Sequence, residues 1–243
     1  MKIIFADFDN TIYFGPDKDY APLQKAVKAW QDAGNMFVIA SGRSGPDLFP
    51  VYGALGITPD GFACAYGTMQ YDRDKNLFAF RQSSNDTLKD FCALMDEYDY
   101  KYVAFTCETG FHRFEVPRLE LKNLERFGKM YNGCAGFKND EDTADFIKRA
   151  KARLGDRLNV IHQSWYFDLP PAGCNKATGV LDFAAHYGVT RENIITVGDW
   201  LNDYDMIKEF RGITLHHAHP DIKAIATAEY ADMPEIIYNL LTE

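Results

Sequence analysis

The sequence lacks the marks of several special environments. No run of 18 apolar residues occurs, so no membrane span is expected. No charged, apolar and small-residue tripartite segment precedes the first strand-like run, so no signal peptide is expected either. The five cysteines (Cys64, Cys92, Cys107, Cys134 and Cys174) are odd in number and show no C-x-x-C spacing. That pattern fits incidental or buried thiols in a reducing compartment, and the expected location is the cytoplasm. Basic residues are also in deficit: 26 Lys and Arg against 35 Asp and Glu give a formal charge of −9. Such a balance excludes a general nucleic-acid binder, which needs a basic face. It leaves room for a small anionic substrate, because a local cation cluster can invert the field in one cleft. Repeats, low-complexity tracts and long charge runs are absent as well.

What is present begins with Ile3-Ile4-Phe5-Ala6, four apolar residues that read as a short buried strand. It runs into Asp7 and Asp9, one residue apart. With the backbone extended, both carboxylates lean to the same side. Two like charges that close need a cation, a shared proton or open water. A hard divalent ion such as Mg²⁺ would satisfy them with oxygen ligands. An aspartate-rich turn after an edge strand would look the same.

At 243 residues the chain suits one or two domains and buries roughly 70–75% of its unfolded surface. The spacing predicts a helix from Ala21 to Ala33, with Leu23, Ala26, Val27 and Trp30 on one face, Asp19 capping it and Gly34 ending it. Met36 to Ala40 is a second strand, ending at Ser41-Gly42-Arg43. Strand, helix and strand make a βαβ unit, so the sheet is expected to be parallel, with ligands outside the carboxyl ends of its strands. A short helix over 46–56, strands at Phe62–Tyr66 and Leu77–Phe80, and turns at Gly67 and 72–76 follow. From Gln82 the character changes. Helices are predicted at Asp86–Tyr98, Leu119–Tyr131 and Glu141–Leu154, with strands at Tyr102–Thr106, Phe111–Val116 and Leu158–Leu169. Alternation then resumes with a helix from Lys176 to Tyr187 and a strand from Asn193 to Val197. A helix Asp203–Phe210, a strand Gly212–Leu215 and helices Ile222–Ala228 and Pro234–Leu241 complete the chain. The order predicts an α/β fold with a Rossmann-like parallel-sheet core, residues 1–81 and 171–243, and an inserted α+β domain, residues 82–170. Hinges are expected near Arg81–Ser83 and Pro170–Gly173.

Three later features converge on the aspartate pair. Asp199 and Asp203 stand four apart at a strand-to-helix junction and can share one face of the first turn, as an N-cap and a solvated acid also would. Lys176 opens a helix, where acids are the usual residues; an exposed lysine or a phosphate clamp would each account for it. Ser41 and Gly42 offer a hydroxyl and an unhindered N–H at a strand end, suited to phosphate oxygens.

In order, D-F-D-N-T (Asp7 to Thr11), A-S-G-R (Ala40 to Arg43), Lys176 and G-D-W-L-N-D (Gly198 to Asp203) resemble the four motifs of the haloacid dehalogenase superfamily. The insertion resembles the large α+β cap (class IIB) of its Cof-type branch, and Ala218 to Lys223 is similar to that branch's closing helix entry. The resemblance implies a Mg²⁺-dependent phosphatase that acts on a small phosphorylated metabolite, such as a sugar phosphate, through an aspartyl-phosphate. It implies Asp7 as nucleophile, and Asp9 as acid–base whose carbonyl ligates the metal. Asp199 would be a side-chain ligand, supported by Asp203 directly or through water. Ser41, Gly42 and Lys176 would hold phosphoryl oxygens, and Asn202 would reach the substrate or orient Asp7. The second acid argues against C–halogen cleavage, and the D-K-T-G-T of the ATPase branch is absent. A phosphomutase shares the motifs, and a non-catalytic receiver-like protein is the rival from another class. Tyr66, Trp200 and His217 depart from the branch's usual residues near the cleft mouth. His216, His217 and His219 raise the thought of a second metal site, and Phe111-His112-Arg113 of a substrate reader; an ordinary loop and an exposed strand turn would look alike. A monomer or small homo-oligomer is expected.

Overall fold

The computed structural model describes residues 1–107, 109–114, 126, 128–162 and 166–243. The opening run forms strand β1 (Ile3–Ala6), all four residues fully buried. Ile4 and Ala6 join the core on one side of the sheet, Ile3 and Phe5 the core on the other, which is why the run does not alternate. β1 pairs in parallel with β2 (Met36–Ala40) and with β11 (Ile194–Val197). Next come β3 (Gly61–Cys64), β4 (Met69–Asp72), β5 (Leu77–Phe80), β12 (Arg211–Leu215) and β13 (Ala228–Tyr230). The eight-stranded sheet runs β13-β12-β11-β1-β2-β3-β4-β5, with β4 antiparallel to β3 and β5 antiparallel to β4. Helices Ala21–Asp32 and Met233–Leu241 cover one face; Lys176–His186 and Tyr204–Glu209 cover the other. Leu23, Ala26, Val27 and Trp30 are the buried face of the first helix, as the spacing predicts.

A second, antiparallel sheet is built from β6 (Tyr100–Cys107), β7 (Gly110–Phe114), β8 (Met130–Phe137), β9 (Ile161–His162) and β10 (Tyr166–Leu169), in the order β7-β6-β8-β10-β9. Its strands alternate. Val103, Phe105, Ala135 and Phe167 pack with Phe91 and Phe146 of helices Asn85–Met95 and Asp140–Leu154. Tyr102, Ala104, Cys134 and Tyr166 form the opposite face, toward the first sheet.

Several expectations are corrected. β3 ends at Cys64, because Ala65 and Tyr66 turn into the left-handed region (φ 50° and 58°) instead of extending. β4 is not among the expected strands: Thr68 and Gln70 are buried polar residues, Thr68 donating to the Ala65 carbonyl and the Gln70 amide nitrogen to the Gly67 and Gly179 carbonyls. The expected helix Leu119–Tyr131 lies mostly outside the described residues, and its last two positions begin β8, a strand whose two glycines conceal it. Glu115 and Val116, the C-terminal end of the predicted strand Phe111–Val116, also lie outside them, as do residues 163–165 of Leu158–Leu169; the described parts of that run form two strands, β9 and β10, that pair antiparallel instead of one. The helix expected at Ile222–Ala228 is Pro220–Lys223, and Ala228 opens β13. Tyr20, not Asp19, is the N-cap of the first helix, although Asp19 accepts from the Ala21 N–H. Among the described residues, no helix is long and apolar enough to cross a membrane.

Candidate active site

The parallel strands deliver their carboxyl ends to one rim of the sheet. Asp7 follows β1 and donates its N–H to Val197 O across the strand pair (2.8 Å). Ser41 follows β2, and Asp199 follows β11. Lys176 is the first residue of its helix, capped by a reciprocal pair of bonds between Asn175 and Thr178. That helix comes close because two glycines meet: a Cβ on Gly179 would lie 2.5 Å from the Gly67 Cα.

Lys176 is 1% exposed, and its ammonium lies 2.5 Å from both Asp7 Oδ1 and Asp203 Oδ1. Asp203 Oδ2 accepts the Asp199 and Trp200 N–H groups (3.0 and 3.1 Å). Asp203 packs where a Cβ on Gly198 would stand, 2.5 Å from its Cγ. Asp199 Oδ1 accepts from the Thr11 hydroxyl (2.9 Å). Oxygens of Asp7, Asp199 and Asp203 lie within 4.8 Å of one another, all three buried. Burial and the Asp203 charge hold the Asp7 carboxyl well above its ordinary range, with Lys176 opposing them. Burial and Asp203 likewise raise Asp199, against the Thr11 bond and Lys176. Burial works against the charge on Lys176, but Asp203 and Asp7 outweigh it and raise its pKa.

Asp9 stands apart from this cluster. Arg43 grips its carboxylate through Nε and Nη2, both at 2.8 Å, and the pair is partly exposed. Ser41, 1% exposed, accepts the Arg43 N–H at its hydroxyl (3.1 Å). Gly42 is required by its neighbour: a Cβ there would touch the Tyr66 ring at 2.9 Å. Asp9, Arg43, Ser41, Gly42 and Tyr66 border a cavity of ≈ 740 Å³ between the two sheets, whereas Lys176 and Asp203 are not among its lining residues. Asp7, Asp9, Ser41, Gly42, Asp199, Trp200 and Asn202 line it from the first sheet. Asn202 Oδ1 is buried there without a hydrogen-bond partner, an acceptor left for a ligand. Across the cavity stand Tyr102, Thr106, Asn132, Cys134, Tyr166 and Asp168, none of them singled out from the sequence. The period-two polarity of β6 and β10 was the signal that could have found them.

Phe111 and Arg113 also line the cavity, whereas His112 pairs with Thr109. The three clustered histidines go separate ways: His216 to Glu229, His217 to the Asn10 carbonyl, and His219 to the Asp221 N–H. They do not converge on one point. Among the described residues, the aspartate triad is the one group arranged to hold a metal ion.

The sequence profile described as haloacid dehalogenase-like hydrolase matches residues 4–115 and 110–235. The chain belongs to the haloacid dehalogenase-like hydrolases. Within curated proteins, this hydrolase is 21% identical to the phosphatase YwpJ of Bacillus subtilis over 94% of each chain. It is 24% identical to the chloroplastic endoribonuclease YBEY of Arabidopsis thaliana over 93% of its own length, but spans only 43% of that protein. Among solved structures, the phosphatase-superfamily member BT1666 of Bacteroides thetaiotaomicron superposes with a TM-score of 0.82 at 22% identity, covering 100% of this chain and 94% of that one. The subclass IIB sugar phosphatase BT4131 superposes at 0.78 and 16% identity over the whole of both chains. These likenesses establish the two-sheet fold of the hydrolase.

The donor set fits a hard divalent cation. Three buried carboxylates face one ammonium, so acids outnumber cations in the cluster, and every ligand atom is oxygen.

Proposed function

We propose that the protein is a Mg²⁺-dependent phosphatase acting on a small phosphorylated metabolite, a sugar phosphate being the favoured class. The observation that carries this is the buried Asp7–Lys176–Asp203–Asp199 cluster on the floor of a cavity large enough for such a substrate. Residues 1–81 and 171–243 are read as the catalytic core and 82–170 as a cap. The cap keeps water from the reacting centre and contacts the leaving group.

Asp7 is assigned as nucleophile. Its carboxylate oxygen attacks phosphorus, the bond to the leaving alcohol breaks, and an aspartyl-phosphate forms. Asp9 gives its proton to the departing oxygen, then takes one from the water that attacks the same phosphorus and frees Asp7 as inorganic phosphate leaves. In the structure Asp9 is held by Arg43, so this work requires the pair to part when substrate binds. Ser41, the Gly42 N–H and Lys176 are assigned to the phosphoryl oxygens, and Asn202, through its unpartnered Oδ1, to the substrate. Asp7, the Asp9 carbonyl and Asp199 would hold Mg²⁺. With both oxygens occupied, Asp203 serves mainly to fix Lys176 and the loop that carries Asp199. When bound, the ion supplies charge that lets anionic nucleophile and phosphoryl group approach.

The test is phosphate release from p-nitrophenyl phosphate and a panel of sugar phosphates, by wild type and Asp7→Asn, with Mg²⁺ and with a chelator. Turnover that needs Mg²⁺ and vanishes in Asp7→Asn is expected. Transfer to a second sugar instead of water would move the assignment to a phosphomutase. Stable labelling of Asp7 without turnover would move it to a receiver-like protein.

A further inference from the structure

The wall opposite Asp7 holds a buried carboxylate for which the chemistry above has no use. Asp168, at β10 of the second sheet, is 7% exposed and lines the cavity. Its Oδ2 accepts from the Tyr66 hydroxyl at 2.6 Å, and its Oδ1 accepts from Asn132 Nδ2 at 3.1 Å. Asn132 is itself fixed, its Oδ1 accepting the Leu169 N–H at 3.0 Å. The Cys134 thiol, 3.6 Å from the Tyr102 hydroxyl, also favours the ionised form of this carboxylate.

Tyr66 reaches Asp168 from the other sheet. It does so from a left-handed backbone (φ 58°) that bulky side chains seldom adopt, and such strain collects at sites where geometry is functional. Its ring lies on Gly42, the candidate phosphate-binding glycine. One side chain therefore spans from the phosphoryl end of the cavity to Asp168. An ionised carboxylate offers about four acceptor positions, and the Tyr66 and Asn132 bonds occupy two of them, so Asp168 keeps acceptor capacity at the wall of the cavity it lines. The carboxylate can take a hydroxyl or an amine there; it repels an anion and leaves an acceptor unsatisfied beside an apolar group.

Among the described residues lining the cavity, Arg113 is the cation that comes from this sheet, its guanidinium 4.1 Å from the Tyr102 ring centre. It is exposed, so water screens it, whereas the Asp168 charge acts in a buried setting.

We propose that Asp168, held by Tyr66 and Asn132, is the specificity group for the leaving alcohol. It selects monophosphates whose alcohol carries hydroxyl or amino donors, and disfavours those carrying a second anionic group there. This rests on the phosphatase reading.

The test compares kcat/KM of wild type, Asp168→Asn and Tyr66→Phe on four probes. Sorbitol 6-phosphate and glucosamine 6-phosphate bear donors, p-nitrophenyl phosphate bears none, and fructose 1,6-bisphosphate bears a second anion. Asp168→Asn is expected to lower kcat/KM on the donor-bearing esters about 10–100-fold more than on the aryl ester, chiefly through KM. It is also expected to narrow the gap to the bisphosphate. Tyr66→Phe changes the same ratios in the same direction by less. An equal fall on all probes, or a wild type that prefers the bisphosphate, overturns the proposal while leaving the phosphatase reading intact. Wild type that hydrolyses none of the probes refutes the phosphatase reading instead. Calorimetric binding of sorbitol 6-phosphate then decides: binding weakened in Asp168→Asn upholds the specificity role, and equal or absent binding overturns it.

Discussion

Asp168→Asn is expected to erase a pH-dependence that one carboxyl imposes on the protein's stability. Burial lifts Asp168 from an ordinary 3.8 to about 6, against the opposing bonds from Tyr66, Asn132 and Cys134. The folded state therefore holds this proton more tightly than the unfolded chain. The stabilisation is fully present below about pH 4 and is lost as pH rises through about 6. The shift spans about two pH units at about 1.36 kcal/mol each, so wild type loses on the order of 3 kcal/mol from this group between pH 4 and 7. Asp7 and Asp199 are also raised by burial, so the wild-type curve alone is a composite. Subtracting the variant's curve isolates Asp168. The assay is urea unfolding at pH steps from 4 to 7.5, followed by circular dichroism and tryptophan fluorescence. Wild-type stability minus that of Asp168→Asn should fall by about 3 kcal/mol across the window. A flat difference, or one that rises with pH, refutes the reasoning. Tyr66→Phe removes a bond that favours the ionised form, so its midpoint should move to higher pH.

Lys176→Met leaves Asp7 and Asp203 buried without their cation and should cost about 3–5 kcal/mol in urea unfolding, with turnover lost as well. Mg²⁺ at a hundredfold excess over its Kd should stabilise wild type by about 2.7 kcal/mol, seen as a rise in Tm that a chelator reverses. In Asp199→Asn that rise should largely disappear. Gly42→Ala places a Cβ 2.9 Å from the Tyr66 ring and should destabilise by about 1–3 kcal/mol. Its KM for phosphate esters should rise, measured against wild type at equal Mg²⁺.

The parallel core was legible because strands buried on both faces write themselves as unbroken apolar runs, as Ile3–Ala6 and Met36–Ala40 do. Lys176 was legible by contrast, as a cation at a helix start where cations are disfavoured. Nothing in the sequence pairs Asp9 with Arg43, because they stand 34 residues apart and no local period joins them. The far wall of the cavity was harder still. Asn132 and Cys134 sit in a strand whose glycines, Gly133 and Gly136, blur its pattern, and Gly136 leaves room for the Tyr102 ring. Asp168 looked like the polar end of an apolar run before two prolines. Its meaning depends on Tyr66, which only a left-handed turn brings across from the other sheet.

The pairing of β1 sets an order of events during synthesis. One neighbour, β2, emerges from the ribosome soon after it, but the other begins where Ile194 meets Ile3. At about 5–20 residues per second, Asp7 waits on the order of 10–40 s for Asp203 to be made. Through that interval the nascent chain has an open apolar edge beside β1 and carries the aspartate without its lysine. Completion of the buried aspartate–lysine cluster and closure of the central sheet are thus late steps, reached together when the last third of the chain docks.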